Sequence, residues 1–409
     1  MKYGVVVFEK TENIGDDIQS YAAAQLLPSV DYYIEREQLD VFRPQEAEPV
    51  NTIMNGWFMH NKLAWPVSNC INPLYISMHF MKDDPMKIGN TFLQGIGGED
   101  LKTHAPIGCR DLETQAFLEE NGIPTYFSGC LTLTLQAKFP KLDVPPYVCL
   151  VDVSPDVVDY VKTQYPDIET RIVEHEPNAM PALVKQGATW EERFETVEKL
   201  LTIYQNAHAV ITSRLHCALP SMALGTPVLL LTDIGLESGR YDGLSSLVHS
   251  ATTKDFLAGS VSFSLDAPPS NPDTFIPIRS QLIERVRNFV AENQNCTPEL
   301  KARFEKYDSE WEKRAVWKNE VLSEVRNTIN GLELWRMKDM AEAVQWLEQQ
   351  QTTHRKIIDE QSEYIRIQTE RIEQLENEKN QLQSILETSR YFRFVRKMKS
   401  MLKAADNTD

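Results

Sequence analysis

The stretch AHAVITSRLHCALPSMALGTPVLLL, residues 207–231, decides the predicted fold. It contains two short apolar runs, AVIT and PVLLL, which are typical of buried strands in a parallel sheet. The segment between them has the composition of a helix, and we expect Pro220 in its first turn because a proline is tolerated there. Arg214 and His216 therefore fall where a strand ends and a helix begins.

The same alternation of strands and helices continues in both directions from this stretch. Upstream, YGVVVF predicts a buried strand, DIQSYAAAQLL predicts a helix, and a second helix ends at Gly122. The paired prolines of KLDVPP mark a boundary, after which the alternation restarts at YVCLVDVS. We predict an α/β fold with mostly parallel sheets, in one domain over residues 1–145 and a second over 146–275. Further strands are predicted for NTIMNGWF, PLYISMHF, APIGC, PTYFSG and LTLTL.

The C-terminal third has a different pattern. Residues 276–338 are predicted to form helices that return across the two domains. From about Met340 the chain has no Gly or Pro, and a heptad repeat places isoleucines such as Ile358 and Ile365 at one core position and Leu375 at the other. This pattern predicts a two-stranded coiled coil over residues 339–389 and hence a homo-oligomer. A single long helix packed on the body is the alternative.

The last segment, residues 390–409, begins with RYFRFVRKMKSMLK, which has six Lys or Arg residues and no acidic residue. As a helix it would be cationic and amphipathic, and such helices bind anionic membrane surfaces. We therefore predict that residues 390–403 contact a membrane peripherally, with a solvated, frayed end as the alternative.

Composition excludes several classes of protein. The chain has 409 residues and a formal net charge of −17, so it lacks the positive charge of a general nucleic-acid binder. Its six cysteines form no CxxC pair, so we expect reduced, mostly buried thiols and no metal site. The sequence shows no signal peptide and no apolar run that could span a bilayer, which favours a cytoplasmic location.

Charged side chains follow two of the predicted strands. Arg214 and His216 follow AVIT, and Arg110 follows the strand in APIGC. Ligands bind at the carboxyl edge of open parallel sheets, and an arginine beside a helix start suits a phosphate or carboxylate. The structural alternatives are that Arg214 pairs with an acid between the domains, that Arg110 pairs with its neighbour, and that Asp111 caps its helix.

A third loop at the same edge contains NIGDD, which includes Asn13, Gly15, Asp16 and Asp17. Gly15 would let the backbone approach a ligand closely. One aspartate is expected to cap the following helix, and the other would be a free carboxylate able to act as a base.

Secondary candidates lie in three other stretches of the sequence. ESGRYDGL, residues 237–244, places Arg240 and Asp242 at the same edge. Trp57, His60 and Ser128 could line a sugar-binding face, although a tryptophan at such a position is more often part of the core.

The stretches NIGDDIQSYAAAQLL, NGWFMHN, APIGCRDLETQAFLEENGIPTYFSGCLTLTL and AHAVITSRLHCALPSMALGTPVLLL together resemble the polysaccharide pyruvyl transferase family. The resemblance covers about residues 1–250. It implies two Rossmann-like domains facing a cleft, as in GT-B glycosyltransferases. It also implies transfer of the enolpyruvyl group of phosphoenolpyruvate to two hydroxyls of one sugar, without a further cofactor.

The resemblance also implies roles for particular residues. The family's Arg–Leu–His stretch, which binds phosphoenolpyruvate, matches Arg214, Leu215 and His216, and the arginine of its RD block matches Arg110. We assign His216 as the proton donor to the leaving phosphate and Asp16 as the base toward the sugar hydroxyl. The acceptor would be a saccharide of a bacterial surface polysaccharide or its precursor, in a lipid-linked or nucleotide-linked form.

Two other functions are compatible with the same sequence. A nucleotide-sugar glycosyltransferase could share the fold, and a non-catalytic scaffold could use the coiled coil to recruit other enzymes of polysaccharide assembly.

Overall fold

The computed structural model describes residues 1–9, 11, 13–58, 64–82, 90, 92–175, 188–232, 239–306, 311–330, 384 and 393–399. The chain divides into two compact units. One comprises Met1–His60 and Pro66–Glu305, and the other comprises Asn61–Trp65 and Lys306–Asp409.

The first unit contains two parallel β-sheets. The N-terminal sheet has six strands in the order β2-β1-β3-β4-β5-β6, and every neighbouring pair is parallel. Its carboxyl strand ends therefore share one edge. The strands are β1 (Lys2–Val7), β2 (Tyr32–Glu35), β3 (Val50–Trp57), β4 (Ile71–His79), β5 (Ile107–Cys109) and β6 (Thr125–Phe127), and the helices between them are α1 (Ile14–Ala24), α2 (Gly95–Thr103) and α3 (Leu112–Glu120).

The second sheet has five parallel strands in the order β11-β10-β9-β7-β8. Its strands are β7 (Tyr147–Val151), β8 (Glu169–Val173), β9 (Ala209–Thr212), β10 (Val228–Leu231) and β11 (His249–Ala251). The helices are α4 (Pro155–Gln164), α5 (Trp190–Asn206), α6 (Leu215–Ala223) and α7 (Thr253–Leu257), followed by α8 (Phe275–Glu292) and α9 (Pro298–Glu305).

In the second unit, the described helices are α10 (Trp311–Asn330) and a helical stretch over residues 393–399. In that stretch Val395 is buried, whereas Arg393, Arg396, Lys397 and Lys399 are exposed. The predicted coiled coil, residues 339–389, lies outside the described residues except for Ser384, and so does the rest of the 390–409 segment. Among the described helices, none combines the length and the apolar character needed to cross a membrane.

The predicted α/β class is confirmed, but two local predictions are wrong. LTLTL is not a strand: Leu131–Thr134 form a 3₁₀ helix whose residues are all buried against α1, α6 and α8. Burial on every side, rather than alternation, accounts for its apolar residues. Pro220 lies at the sixth position of α6 and not in the first turn. The helix continues through it because seven of its nine residues are buried, and tertiary packing overrides intrinsic propensity.

One apolar core connects the two sheets. It includes Val5 and Val7 of β1, Ile18 of α1, and Tyr147 and Cys149 of β7. The predicted core stripe of α5 is confirmed, and this helix begins at a capping box between Thr189 and Glu192. The expectation of mostly buried thiols is also confirmed, since five of the six cysteines are buried and unbridged and Cys296 is exposed. The stripe residues in the core are Trp190, Phe194, Val197, Leu201 and Tyr204.

A buried ion pair joins α1 to α5. The Nε and Nη2 atoms of Arg193 donate to the two carboxylate oxygens of Asp17 at 2.9 and 2.7 Å. Neither residue is more than 7% exposed. Burial raises the pKa of Asp17 to about 6, against the opposing effect of Arg193. The Tyr21 hydroxyl adds a hydrogen bond to Glu198 at 2.7 Å, so α1 of the N-terminal sheet is anchored to a helix of the second sheet.

His175 supplies a second polar connection. It follows β8, and its carbonyl accepts a hydrogen bond from the backbone N–H of Ile14, the first residue of α1, at 3.3 Å. Its ring is buried, with Nε2 2.5 Å from the hydroxyl of Tyr204. Burial and the nearby charge of Arg214 lower the pKa of His175 from 6.5 to about 3, so the ring is neutral in the folded protein.

We expect Arg193→Met to lower the free energy of unfolding by roughly 3 kcal/mol, because Asp17 would remain buried without its partner. The double variant Asp17→Leu/Arg193→Met should recover most of this loss, since apolar pairs often replace buried ion pairs without penalty. Urea unfolding measures both. Arg287→Met, at an exposed position of α8, is the control. Equal losses in the single and double variants would contradict this account.

The depressed pKa of His175 predicts a pH dependence. The unfolded chain takes up a proton near pH 6.5 and the folded chain only near pH 3, so this stabilisation is complete above about pH 6.5 and is lost as the pH falls. Between pH 7 and pH 5 the loss from this group is roughly 2 kcal/mol. His175→Gln should reduce the difference in unfolding free energy between these pH values, with His249→Gln as the control. An unchanged difference would show that His175 is not the group responsible.

Candidate functional site

The helix α1 begins at the carboxyl edge of the N-terminal sheet, and Asn13 caps it. The Asn13 side chain accepts a hydrogen bond from the Gly15 N–H at 2.8 Å, and Asn13 has the extended backbone of an N-cap residue. The expectation that an aspartate caps this helix is therefore wrong. The helix begins at Ile14, so Asp16 and Asp17 both lie in its first turn.

Asp16 is half-buried, and it is not the free carboxylate that we expected. Its oxygens accept hydrogen bonds from Thr11 Oγ1 at 2.6 Å and from Gln19 Nε2 at 3.2 Å. Burial raises the pKa of Asp16, while the positive charges of Arg36 and Arg110 and the Thr11 hydrogen bond oppose the rise. The carboxylate is consequently a stronger base than an exposed aspartate, and Arg110 lies within electrostatic reach of it.

Gly15 and His216 approach each other closely. A Cβ atom placed on Gly15 would lie 2.9 Å from both Cβ and Nδ1 of His216 and 2.8 Å from Oδ1 of Asn13. Real side chains do not tolerate such distances, so only glycine fits here. In this structure a close neighbour of the Gly15 backbone is His216, the second residue of α6. The start of α1 and the start of α6, which belong to different sheets, thus meet at this point.

Arg214 occupies the N-cap position of α6 and pairs with Asp152. Its Nε atom lies 2.8 Å from Asp152 Oδ2, and the two side chains are 25% and 10% exposed. Asp152 follows β7 of the same sheet, so the acid that pairs with Arg214 does not come from the other sheet. Leu215, the next residue, packs against the apolar core.

Arg110 follows β5 and is 6% exposed. Its Nε atom lies 3.4 Å from Asp111 Oδ2 and, among the described residues, has no hydrogen-bond partner. Asp111 caps α3 by accepting from the Thr114 N–H at 2.9 Å and also accepts from His79 Nδ1 at 2.6 Å. The two structural alternatives raised for Arg110 and Asp111 are thus confirmed. Although burial raises the pKa of Asp111, the His79 hydrogen bond and Arg110 bring it below its ordinary value.

Residues 239–242, which include Arg240, pack against the start of α3, the helix that follows Arg110. The carbonyl of Asp242 accepts from the Leu112 N–H at 3.1 Å, and a Cβ on Gly239 would lie 2.7 Å from the Glu113 carboxyl carbon. A loop of the second sheet therefore contacts the start of α3. The side chain of Arg240 lies outside the described residues.

The candidate sugar-binding side chains have different surroundings. Trp57 is half-buried at the end of β3, with its ring centroid 6.5 Å from that of His79. Ser128 is buried and is engaged by backbone groups, which excludes it from an exposed lining: it donates to the Cys109 carbonyl and accepts from the Ser77 N–H, both at 3.0 Å. His60 lies outside the described residues.

Three residues at this edge were missed by the sequence analysis. Asp152 holds Arg214, Arg193 holds Asp17, and Arg36 acts on the charge of Asp16. Asp152 directly follows β7 and Arg36 directly follows β2. A position directly after a strand is also the signal that pointed to Arg110. Arg193 lies within the apolar stripe of α5, where a buried charge indicates a partner. Among the described residues, no group of three His, Cys, Asp or Glu side chains could hold a metal ion.

No curated protein matches this chain. Among solved structures, it is similar to a functionally uncharacterized protein of Klebsiella pneumoniae subsp. pneumoniae NTUH-K2044, with 12% sequence identity and a TM-score of 0.33, over 60% of this chain and 89% of that one. A likeness of this size adds nothing to the fold described above.

The family comparison is specific. The model described as polysaccharide pyruvyl transferase matches residues 13–233, which is more than half of the chain. The match begins at Asn13, the N-cap of α1, and includes Arg110, Asp152 and the Arg214–His216 stretch. It therefore includes the starts of α1, α3 and α6. This chain belongs to the polysaccharide pyruvyl transferase family and is a transferase.

Proposed function

We propose that this transferase moves the enolpyruvyl group of phosphoenolpyruvate onto two hydroxyls of one sugar, in a bacterial surface polysaccharide or its precursor. The products are a pyruvate ketal and inorganic phosphate. The observation that carries this proposal is the close approach of Gly15 and His216, with Asp16 in the same turn as Gly15 and within electrostatic reach of Arg110. This approach supports a site in which proton-transfer groups and a cation from separate strand ends act together.

The donor requires fixed cationic groups because it carries a phosphate and a carboxylate on the same carbon framework. Arg214 stands at the N-cap of α6, and the positive end of a helix dipole also favours anions. Arg110 is almost fully buried, so its charge is little screened by solvent. In a chain with a net charge of −17, these local positive groups make an anion site. We assign Arg214 and Arg110 to donor binding.

The reaction balances without a further cofactor. The methylene carbon of the donor gains a proton and becomes a methyl group, two sugar oxygens bond to the neighbouring carbon, and the bond from that carbon to the phosphate oxygen breaks. The two hydroxyl protons account for the new methyl proton and for the proton on phosphate. We assign Asp16 as the base toward a hydroxyl, supported by its raised pKa, and His216 as the acid toward the phosphate.

The wider arrangement of the chain is part of the same proposal. The two parallel sheets are compatible with Rossmann-like domains over residues 1–145 and 146–275 that face a cleft, as in GT-B glycosyltransferases. Residues 339–389 would form a coiled coil between copies of this chain. The exposed cations of residues 393–399 would hold the enzyme at the cytoplasmic face of a membrane, close to a lipid-linked acceptor.

The direct test is to incubate the purified full chain with phosphoenolpyruvate and a panel of saccharides and to follow two products. Mass spectrometry should show the pyruvyl mass on a saccharide, and phosphate should be released in equal amount. If phosphate is not released and a nucleotide sugar is consumed instead, the chain is a glycosyltransferase and this proposal is wrong.

We expect Arg214→Ala to raise the KM for phosphoenolpyruvate and lower kcat together, because the lost guanidinium contacts the donor before and during reaction. His216→Ala should mainly lower kcat, by about a hundredfold or more, as expected for loss of a general acid. Steady-state phosphate release measures both. Arg287→Ala and His249→Ala, away from these strand ends, are the controls. A rise in KM alone for His216→Ala would contradict the proton-donor role.

Gly15→Ala tests the approach of α1 to α6. The added methyl group would lie 2.9 Å from His216, so the imidazole must shift, and we expect kcat to fall by about tenfold or more. The thermal midpoint is measured alongside kcat, so that a general loss of stability is separated from a shift of the imidazole. In a His216→Gly background, which removes both contacting atoms of His216, the same substitution should cost little further turnover. Equal losses in both backgrounds would show that Gly15 acts independently of His216.

A further inference from the structure

Asp152 has an unusual backbone that its neighbours hold in place. It follows β7 with a φ angle of +49°, a conformation that residues other than glycine rarely adopt. Its N–H donates to the Val173 carbonyl at 3.1 Å, and its carbonyl accepts from Ser213 Oγ at 2.6 Å. Backbone strain of this kind is concentrated at functional sites.

The carboxylate of Asp152 is bound from two sides. Oδ2 accepts from Arg214 Nε at 2.8 Å, and both oxygens accept from the His175 N–H at 3.1 and 3.2 Å. Because a guanidinium is planar, a hydrogen bond at Nε sets the plane in which its other nitrogens lie. Arginine has many rotamers, and fixing them before binding removes an ordering cost from ligand association.

The same contacts continue to the other sheet. The carbonyl of His175 accepts from the N–H of Ile14, and the residue after Ile14 is the Gly15 that lies against His216. Since Arg214 and His216 stand two residues apart at the start of α6, this helix start is held by Asp152 on one side and by Gly15 on the other. The contacts run from Arg214 through Asp152, His175 and the start of α1 to His216.

We propose that Asp152 is a positioning residue that orients Arg214 for the anionic donor. It acts through the guanidinium of Arg214 and does not take part in proton transfer to or from substrate. This inference rests on the proposed function, in which Arg214 binds the donor.

The test uses two substitutions that suit the backbone of Asp152. Asp152→Gly removes the carboxylate and adopts a positive φ without strain, so it separates the carboxylate from the backbone effect. Asp152→Asn retains an acceptor oxygen and tolerates the same conformation. Asp156→Ala, at an exposed position in the first turn of α4, is the matched control. Phosphate release is measured against phosphoenolpyruvate concentration for the full-length chain.

We expect Asp152→Gly to raise the KM for phosphoenolpyruvate by about tenfold with kcat within about threefold of the wild type, as for loss of donor preorganisation. Asp152→Asn should restore most of the affinity. In an Arg214→Ala background, Asp152→Gly should cause no further loss of kcat/KM, since its effect passes through Arg214. An unchanged KM for Asp152→Gly, a loss confined to kcat, or additive losses in the double variant would each overturn the inference.

Thermal unfolding of the wild type, the Asp152→Gly and Arg214→Ala variants and their double variant separates this inference from the proposed function. If the wild type releases no phosphate from phosphoenolpyruvate, the proposed function is wrong and the donor role of Asp152 is rejected with it. If the double variant lowers the thermal midpoint by less than the two single variants do together, Asp152 is coupled to Arg214 whatever the substrate. Additive midpoint shifts would reject the coupling as well.

Discussion

The buried ion pair between Asp17 and Arg193 is the contact on which the arrangement of the candidate site depends. It fixes α1, a helix of the N-terminal sheet, against α5 of the second sheet with two short hydrogen bonds. Apolar contacts alone would allow α1 to slide along its neighbours, because dispersion and burial are not directional. The bidentate pair adds direction. With α1 held in this register, Gly15 lies against His216.

Buried ion pairs are weak evidence for stability, since desolvation offsets much of their attraction. In this chain the main consequence of the Asp17–Arg193 pair is the position of α1. Proton transfer requires groups placed within hydrogen-bond reach of the reacting atoms, and misplacement by about 1 Å is costly. A continuous apolar core under both sheets, together with the Ile14–His175 hydrogen bond, supplies the rigidity that such placement needs.

The arginines of this edge are oriented by carboxylates of their own sheet. Arg110 lies beside Asp111, and Arg214 is bound by Asp152. Each carboxylate reduces the local positive charge, and Asp152 also fixes the direction of the Arg214 guanidinium through a hydrogen bond. In a strongly acidic chain, oriented cations give selectivity for a small anion rather than general attraction for polyanions. The pKa of Asp16 is raised although Arg36 and Arg110 lower it, so the effect of burial on this carboxyl outweighs the effect of the cations.

Local sequence was sufficient for eight of the eleven described strands, all but β2, β8 and β11, and for the identity of most charged groups at their ends. Short β-branched runs alternating with helical stretches predict parallel strands, and the carboxyl ends of such strands lie at one edge whatever the details of packing. Arg110, Arg214, His216 and Asp16 were found in this way. LTLTL and Pro220 were misread because their conformations are set by burial from several helices, which no local pattern reports.

The amino-acid sequence by itself determined the α/β class, the family and the residue types available for chemistry. Only the tertiary structure decided which of those residues meet. The pairing of Arg193 with Asp17, 176 positions apart, the pairing of Arg214 with Asp152, 62 positions apart, and the approach of Gly15 to His216 all join distant parts of the chain. Such contacts depend on how two sheets pack around one core, and that packing is a property of the whole chain rather than of any segment.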